Sequence, residues 1–442
     1  MYRIHTMANP PRINPLAAEL NEVLAPCIAG RLLSDLGTRL YFPKGIIAQS
    51  GEAKKFGKTA NATIGMAVKD GKPIILSSLK DQLPSLTSAE AVAYPPTAGN
   101  EELRALWLDS IRKKNPSLGS TPLTLPALVP GLTAGISYLA DLFLDETTVL
   151  LTSAPAWDNY VLIVEARRNS TLAGFPMFSG KGFNIEGFRT AVQEQAKTGQ
   201  VRMLLNFPQN PSGYTPTRTE MAAIVSVITD AADTGADVLI WCDDAYFGLD
   251  YEDDIEPESL FAKLAAIHER VLAVKIDGPT KEDYVWGLRT GFLTFGSKGM
   301  NEAQREALLK KLMGAIRSSV SCAAAPSQSL MVKALADSRT ETEKEEFRKL
   351  LEQRYRVVRA FIDSHEGHRV LQALPFNSGY FMSMKCTGVK AEALRVKLLY
   401  DHGIGTIAID EDHIRVAFSS VDTEKIESLF ETIFRVAEEM AG

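Results

Sequence analysis

Cysteine is scarce in this chain. Four residues, Cys27, Cys242, Cys322 and Cys386, are scattered over 442 positions, and no pair has CxxC spacing. Neither a zinc ribbon nor a disulfide framework is expected. Histidine is nearly as sparse, and the one HxxH pair, His365 and His368, has no third ligand nearby in sequence. No metal site is expected there. No uninterrupted apolar run approaches the ~20 residues that a membrane-spanning helix needs. The opening MYRIHTMANPPRINPLAAEL contains no apolar h-region, so no secretory signal and a reducing cytoplasm are expected. Basic residues are not in excess: 48 Lys and Arg face 54 Asp and Glu, a net charge of −6. That balance argues against a nucleic-acid polyanion as main partner. It leaves small anions open, since a few placed arginines can bind them. Repeats and low-complexity tracts are also missing.

What is present is ordinary globular material, 45% hydrophobic and 23% charged, with enough length for two or three domains. The middle third alternates short apolar runs with helical patterns, the signature of a largely parallel sheet covered by helices. The runs are 149–152 (VLLT), 201–207 (VRMLLNF), 238–242 (VLIWC), 271–276 (VLAVKI) and 291–295 (GFLTF). Residues 123–129 (LTLPALV) read as a further strand. Between 341 and 362, Phe347, Leu350, Leu351, Tyr355, Val358 and Phe361 recur at helical spacing among many charges, which predicts one long amphipathic helix. Strand-like pieces at 380–384 and 414–418 and a helix from about Thr423 follow. The expected organisation is α/β, with a large domain over 76–329. A smaller domain would combine an N-terminal arm (1–75) with the C-terminal part (330–442).

In open α/β sheets ligands bind beyond the carboxyl ends of the strands. There the chain carries Pro155-Ala156-Trp157, then Pro208 to Gly213 (PQNPSG), then Asp243-Asp244-Ala245-Tyr246, then Asp277-Gly278-Pro279-Thr280-Lys281. One edge of one sheet would hold an indole, an amide, a carboxylate, a phenol and an amine. Lys281 and Arg289 are eight residues apart. The 123–129 run leads into Gly131-Leu132-Thr133-Ala134-Gly135, a turn that opens a helix and offers free amides and a positive dipole end to an anion.

These residues resemble the fold-type I, pyridoxal-phosphate-dependent aminotransferases. The matching pieces are Tyr94-Pro95-Pro96-Thr97-Ala98-Gly99 with Leu103-Arg104, Gly131 to Ser137, Pro155-Ala156-Trp157, Asn206 to Gly213, Asp243 to Tyr246, Lys281 with Gly287-Leu288-Arg289-Thr290-Gly291, and Ile414-Arg415-Val416. They stand in the family's order over roughly residues 60 to 420. The resemblance implies a mostly parallel seven-stranded sheet between helices and pyridoxal 5'-phosphate as cofactor. It implies Lys281 as the covalent anchor and proton carrier, and Asp243 beside the ring nitrogen, with Asp244 structural on the other side of the chain. Tyr246 and Asn210 would hydrogen-bond the ring's phenolic oxygen, and Trp157 would stack on its face. Leu132 and Thr133 in the turn, with Arg289, would hold the phosphate. The family's frequent serine three residues before the lysine is Gly278 here, and Thr280 offers a hydroxyl instead. Tyr94 would reach the phosphate of a neighbouring subunit, in a homodimer with shared active sites.

For substrate, the resemblance places the α-carboxylate on Arg415, with Asn210 nearby. The stretch Asn61 to Gly65 is similar to the aspartate-aminotransferase branch, and Gly65 aligns with its closing segment. Ala315 to Ser321 (AIRSSVS) is similar to the stretch of that branch whose arginine reads a side-chain carboxylate across the dimer, which implies that role for Arg317. The expected function is transfer of the amino group of an aspartate-like or aromatic L-amino acid to a 2-oxo acid. A lyase or decarboxylase on the same scaffold is the alternative. A non-catalytic sensor would need a DNA-binding region, and the residues before Asn61 carry no basic stripe.

Overall fold

The computed structural model describes residues 13–24, 38–39, 46–63 and 65–442. Cys27 and Ile64 therefore lie outside the described residues. The centre is a seven-stranded sheet: β1 (Ala127–Val129), β2 (Val149–Ala154), β3 (Thr171–Pro176), β4 (Gln200–Asn206), β5 (Asp237–Asp243), β6 (Val271–Asp277) and β7 (Gly291–Gly296). Their spatial order is β1-β7-β6-β5-β4-β2-β3. Only β7 runs against its neighbours. The others are parallel, so β2, β4, β5 and β6 end on one edge.

The strands are near-continuous apolar runs because both faces of the sheet are covered. Val238, Ile240 and Cys242 of β5 join one core, beneath α1 (Glu101–Lys114) and α3 (Arg218–Asp233). Leu239 and Trp241 join the other, beneath α2 (Leu132–Phe143) and α4 (Glu302–Arg317). The side-chain period of two thus decides which face each strand-end residue serves. Side chains cap α1 (Asn100), α3 (Thr217, with Glu220 completing a capping box) and α4 (Asn301, with Gln304). Helix α2 begins at Gly131 without a side-chain cap.

A second sheet is antiparallel: β8 (Leu371–Ala373), β9 (Met382–Cys386), β10 (Ile407–Ala408) and β11 (His413–Val416), in the order β8-β9-β11-β10. Helices α5 (Arg339–Ser364) and α6 (Thr423–Ala441) pack with it. The two ends of the chain meet there. Ala60–Asn61 pair in parallel with Ile404–Gly405. Arg354 of α5, fully buried, donates to Val68 O at 2.6 Å and Ser419 O at 2.5 Å.

Three expectations are adjusted. The 123–129 run is strand only from Ala127, because Pro126 has no amide to donate, and Leu123 makes only an isolated bridge to Gly296. The 414–418 run stops at Val416 and turns into a 3₁₀ turn at Phe418–Ser420. The edge strand Thr171–Pro176 was not among the expected runs, since Gly174 and Pro176 interrupt its apolar pattern. No helix among the described residues is long and apolar enough to cross a membrane. His365 stacks on Phe361, and His368 reaches Glu438 at 3.1 Å.

Candidate active site

Asp243 ends β5 and Asp244 follows it, and the two point to opposite faces. Asp243, buried, accepts from Tyr160 Oη at 2.5 Å and from the Ala245 amide at 3.2 Å. Asn206 Nδ2 donates to the Asp243 carbonyl at 2.7 Å. Burial pushes the Asp243 carboxyl up, while the Tyr160 hydroxyl and the Lys281 charge pull it back. Asp244 instead meets Ser259 Oγ at 2.6 Å and the Lys275 ammonium.

Lys281 follows β6 on a loop whose carbonyl at Lys281 accepts from Tyr380 Oη at 2.9 Å. Its Nζ lies 4.7 Å from the Tyr246 ring centroid. Burial lowers the amine to about 8, opposed by Asp243 and reinforced by Arg289. Glu282 and Asp283 beside it suit a solvated loop in the sequence alone. Here Glu282 pairs with Lys114 at 2.5 Å and Asp283, buried, with Lys344 at 2.9 Å. Tyr246 is buried edge-on against Tyr380 and Phe381, and burial pushes its phenol up.

The uncapped start of α2 faces Arg289. Gly131 has φ 87°, and a Cβ there would lie 2.5 Å from Arg289 Nη2, so a glycine is required for the guanidinium to sit over the turn. Arg289 is itself left-handed (φ 52°) and donates to Trp286 O at 3.0 Å. Leu132 and Thr133 are the first residues of α2. The missing serine has a steric reason: a Cβ at Gly278 would stand 2.8 Å from Thr290 O and 3.0 Å from the Gly291 Cα. The Thr280 hydroxyl donates to Thr290 O at 3.3 Å.

Arg415 of β11 is 2% exposed and has no carboxylate within salt-bridge distance among the described residues. Nη1 donates to Asn210 Oδ1 at 2.8 Å and Nη2 to Thr63 O at 3.2 Å, while Nε has no partner. The guanidinium lies 4.1 Å from the Phe381 ring centroid. Burial pulls it down to about 10. Asn210 is itself placed by its amide, which donates to Asn206 Oδ1 at 2.8 Å. Gly65 borders the same space: a Cβ there would lie 3.4 Å from Phe381 and 3.8 Å from Tyr246 Oη. Trp157 sits edge-on to Tyr160 at 5.3 Å.

Asp243, Tyr246, Lys281, Asn210, Arg415 and Gly65 are thus linked through shared neighbours, and Arg289 meets Gly131 beside them. Tyr94 and Arg317 are not part of this cluster. Tyr94 is 93% exposed, and Arg317 is exposed at the last turn of α4. Sequence reasoning gave no role to Tyr160, Asn206, Tyr380 or Phe381. Tyr160 stands three residues after Trp157, one helical turn, which was the available signal.

The model for aminotransferase class I and II matches residues 67–433. The chain belongs to that family. Among curated proteins it is similar to aromatic-amino-acid aminotransferase 2 of Thermococcus litoralis, 26% identical over 60% of this chain and 62% of that protein. The chain spans less than two thirds of the length of the curated relatives it matches. Among solved structures it is similar in fold to an aminotransferase from Anaerococcus prevotii. That match has TM-score 0.81 and 22% identity, covering 92% of this chain and 99% of the other. A mutant Thermus thermophilus aspartate aminotransferase matches with TM-score 0.73 and 18% identity, covering 91% and 99%.

Proposed function

We propose that this chain is a pyridoxal-phosphate-dependent aminotransferase, moving the amino group of an aspartate-like or aromatic L-amino acid to a 2-oxo acid. The observation that carries the reading is Arg415. A buried guanidinium with an orphaned Nε and no carboxylate within salt-bridge distance among the described residues, offset only at longer range by Tyr246 and Asp158, is costly alone, and its fork suits an incoming carboxylate, which it can bind bidentately. Family membership supports the same reading. The residues also fit the cofactor. An uncapped helix start under Arg289, opened by a glycine in the left-handed region, suits a phosphate.

Leu132, Thr133 and Arg289 would hold that phosphate, Asp243 the ring-nitrogen proton, Tyr246 and Asn210 the phenolic oxygen, and Trp157 the ring face. When bound, the cofactor supplies an electron sink for the pair left by loss of the substrate's Cα proton. The protein does the rest. Arg415 fixes the α-carboxylate and so orients the Cα–H bond. The Lys281 amine, lowered by burial to about 8, takes up the proton from Cα and would carry it to C4′ of the cofactor. Tyr160 and Asn206 hold Asp243 in place. Gly65 borders the same space and lies on the segment that would close over substrate.

We further read the organisation as a large domain over 76–329 and a small one from 1–75 and 330–442. The pairing of residues 60–61 with 404–405 supports this reading. We read the assembly as a homodimer in which Tyr94 and Arg317 serve the opposite site.

The test is a half-reaction panel. Purified chain with bound cofactor is mixed with single amino acids, and cofactor absorbance and 2-oxo acid are followed. Stoichiometric 2-oxo acid from aspartate, glutamate or phenylalanine is expected. Release of CO₂ or ammonia without a 2-oxo acid product would replace this reading with decarboxylase or lyase chemistry.

A further inference from the structure

A layer of buried ionisable groups lies behind the candidate site, on the other face of the sheet, and the proposed chemistry does not use it. Lys275 of β6 is 1% exposed. Its Nζ pairs with Asp244 Oδ2, lies 3.6 Å from Asp277 Oδ2 and sits 4.4 Å from the Phe247 ring centroid. Asp244 also accepts from Ser259 Oγ, and Asp277 from Trp107 Nε1 at 3.1 Å. Cys242, Lys114 and Glu282 complete the titratable surroundings. Burial works to lower the Lys275 ammonium, and Asp244 and Asp277 outweigh it, so it stays charged.

Such a cluster is a poor source of stability, because well-packed apolar side chains of similar volume usually serve as well. Its connections are more informative. Asp244 is the chain neighbour of Asp243. Asp277 ends β6 and opens the loop that carries Lys281. Cys242 stands opposite Lys275 across the two strands. Because successive residues face opposite sides of a sheet, anchoring Asp244 on one face fixes the aim of Asp243 on the other.

We infer that Lys275 is a positioning residue: it clamps the carboxyl ends of β5 and β6 through Asp244 and Asp277, and so sets the aim and separation of the Asp243 carboxylate and the Lys281 amine. The inference rests on the aminotransferase reading for the roles of those two groups.

The test uses the full chain with bound cofactor. The variants are the neutral triple Asp244→Asn/Lys275→Met/Asp277→Asn and, separately, Trp107→Phe. The triple leaves no charge unpaired. It should keep a thermal midpoint near wild type, yet lose about tenfold or more in kcat with KM little changed, as misaligned groups do. It should also shift the pH at which the bound cofactor's absorbance changes. Trp107→Phe keeps the stack on Phe292 but removes the donor to Asp277, and should move that pH in the same direction by less. A folded triple variant with wild-type kcat and wild-type absorbance profile overturns the inference. If the triple fails to fold, an unchanged absorbance profile in Trp107→Phe overturns it. If wild type binds cofactor but transfers no amino group, the functional reading fails instead, and the absorbance comparison still decides the role of Lys275.

Discussion

Two adjacent aspartates at the end of β5 meet different partners, Asp243 the Tyr160 hydroxyl and Asp244 the Lys275 ammonium. Asp243→Ala should keep the fold, because the lost carboxyl is one that burial already penalises, and should lose on the order of a hundredfold or more in kcat. Asp244→Ala should lose stability first. It removes the nearer partner of a buried ammonium, a change of about 3–5 kcal/mol, visible as a lowered thermal midpoint. A larger kcat loss for Asp244→Ala than for Asp243→Ala would reverse the assignment. Lys281 gives a prediction in pH. Its folded-state value, about 8, lies below the ordinary 10.5. Below pH 8 both folded and unfolded chains hold the proton, and the cost of burying the charge is complete. Between 8 and 10.5 the folded chain has released it and the unfolded chain has not, so stability rises with pH. Cofactor-free Lys281→Met lacks this cost. It should exceed wild type by on the order of 3 kcal/mol at pH 7, and the gap should close by pH 10.5 in urea titrations. A gap independent of pH would place the amine in water. The Lys281 to Arg289 step and the Asp243 to Tyr246 motif were legible because each is local in sequence. Tyr160 on Asp243, 83 residues away, and Lys275 on Asp244, 31 away, were not, since a lone Tyr or Lys in an apolar run carries no mark of its distant partner.

Elements were legible where one periodicity ran unbroken. The long helix, expected over 341–362, is Arg339–Ser364, and the strand runs 149–152, 201–207, 238–242, 271–276 and 291–295 each fall within a residue or two of an observed strand. The period failed where Pro and Gly interrupted it, in β1 and β3. Loop chemistry was less legible than strand chemistry. That Gly278 replaces a serine could be read from the sequence, but not that the loop closes onto Thr290 and Gly291 until no Cβ fits. Gly278→Ser should therefore fail to improve the proposed phosphate cup. The added atoms meet backbone, which cannot swing aside as a side-chain end can, and the cost should be about 1–3 kcal/mol of overpacking. Cofactor should dissociate faster from Gly278→Ser than from wild type, and the thermal midpoint should fall. Slower dissociation with an unchanged midpoint would show that the loop yields.

Tyr94 is 93% exposed, with Val92 at 80% and Val320 at 47%, and Arg317, three residues before Val320, is exposed as well. Under the proposed homodimer, a second copy would cover these side chains. In a homodimer with shared sites, Lys281→Ala chains and Tyr94→Phe/Arg317→Ala chains are each impaired alone. Mixed and re-associated in equal amounts, they should recover about a quarter of wild-type activity, since half the dimers are hybrids with one intact site each. Full activity in a sedimenting monomer would refute the arrangement. Specificity follows from the same geometry. If Arg317 reaches the opposite site, a dicarboxylic substrate gains a charge-assisted pair of roughly 1.5–3 kcal/mol, or about one to two decades in kcat/KM. An aromatic substrate gains nothing from that charge and packs against apolar walls instead. Arg317→Ala should then depress aspartate turnover by ten- to a hundredfold, on the order set by that pair, while phenylalanine turnover changes little. Arg415→Ala offers the contrast: it removes the α-carboxylate contact common to every substrate, so both should fall together. Equal losses, or none, for the two substrates in Arg317→Ala would reduce Arg317 to a helix-end cation and remove the dicarboxylate reading, leaving the transfer chemistry at Lys281 and Asp243 to be judged on its own tests.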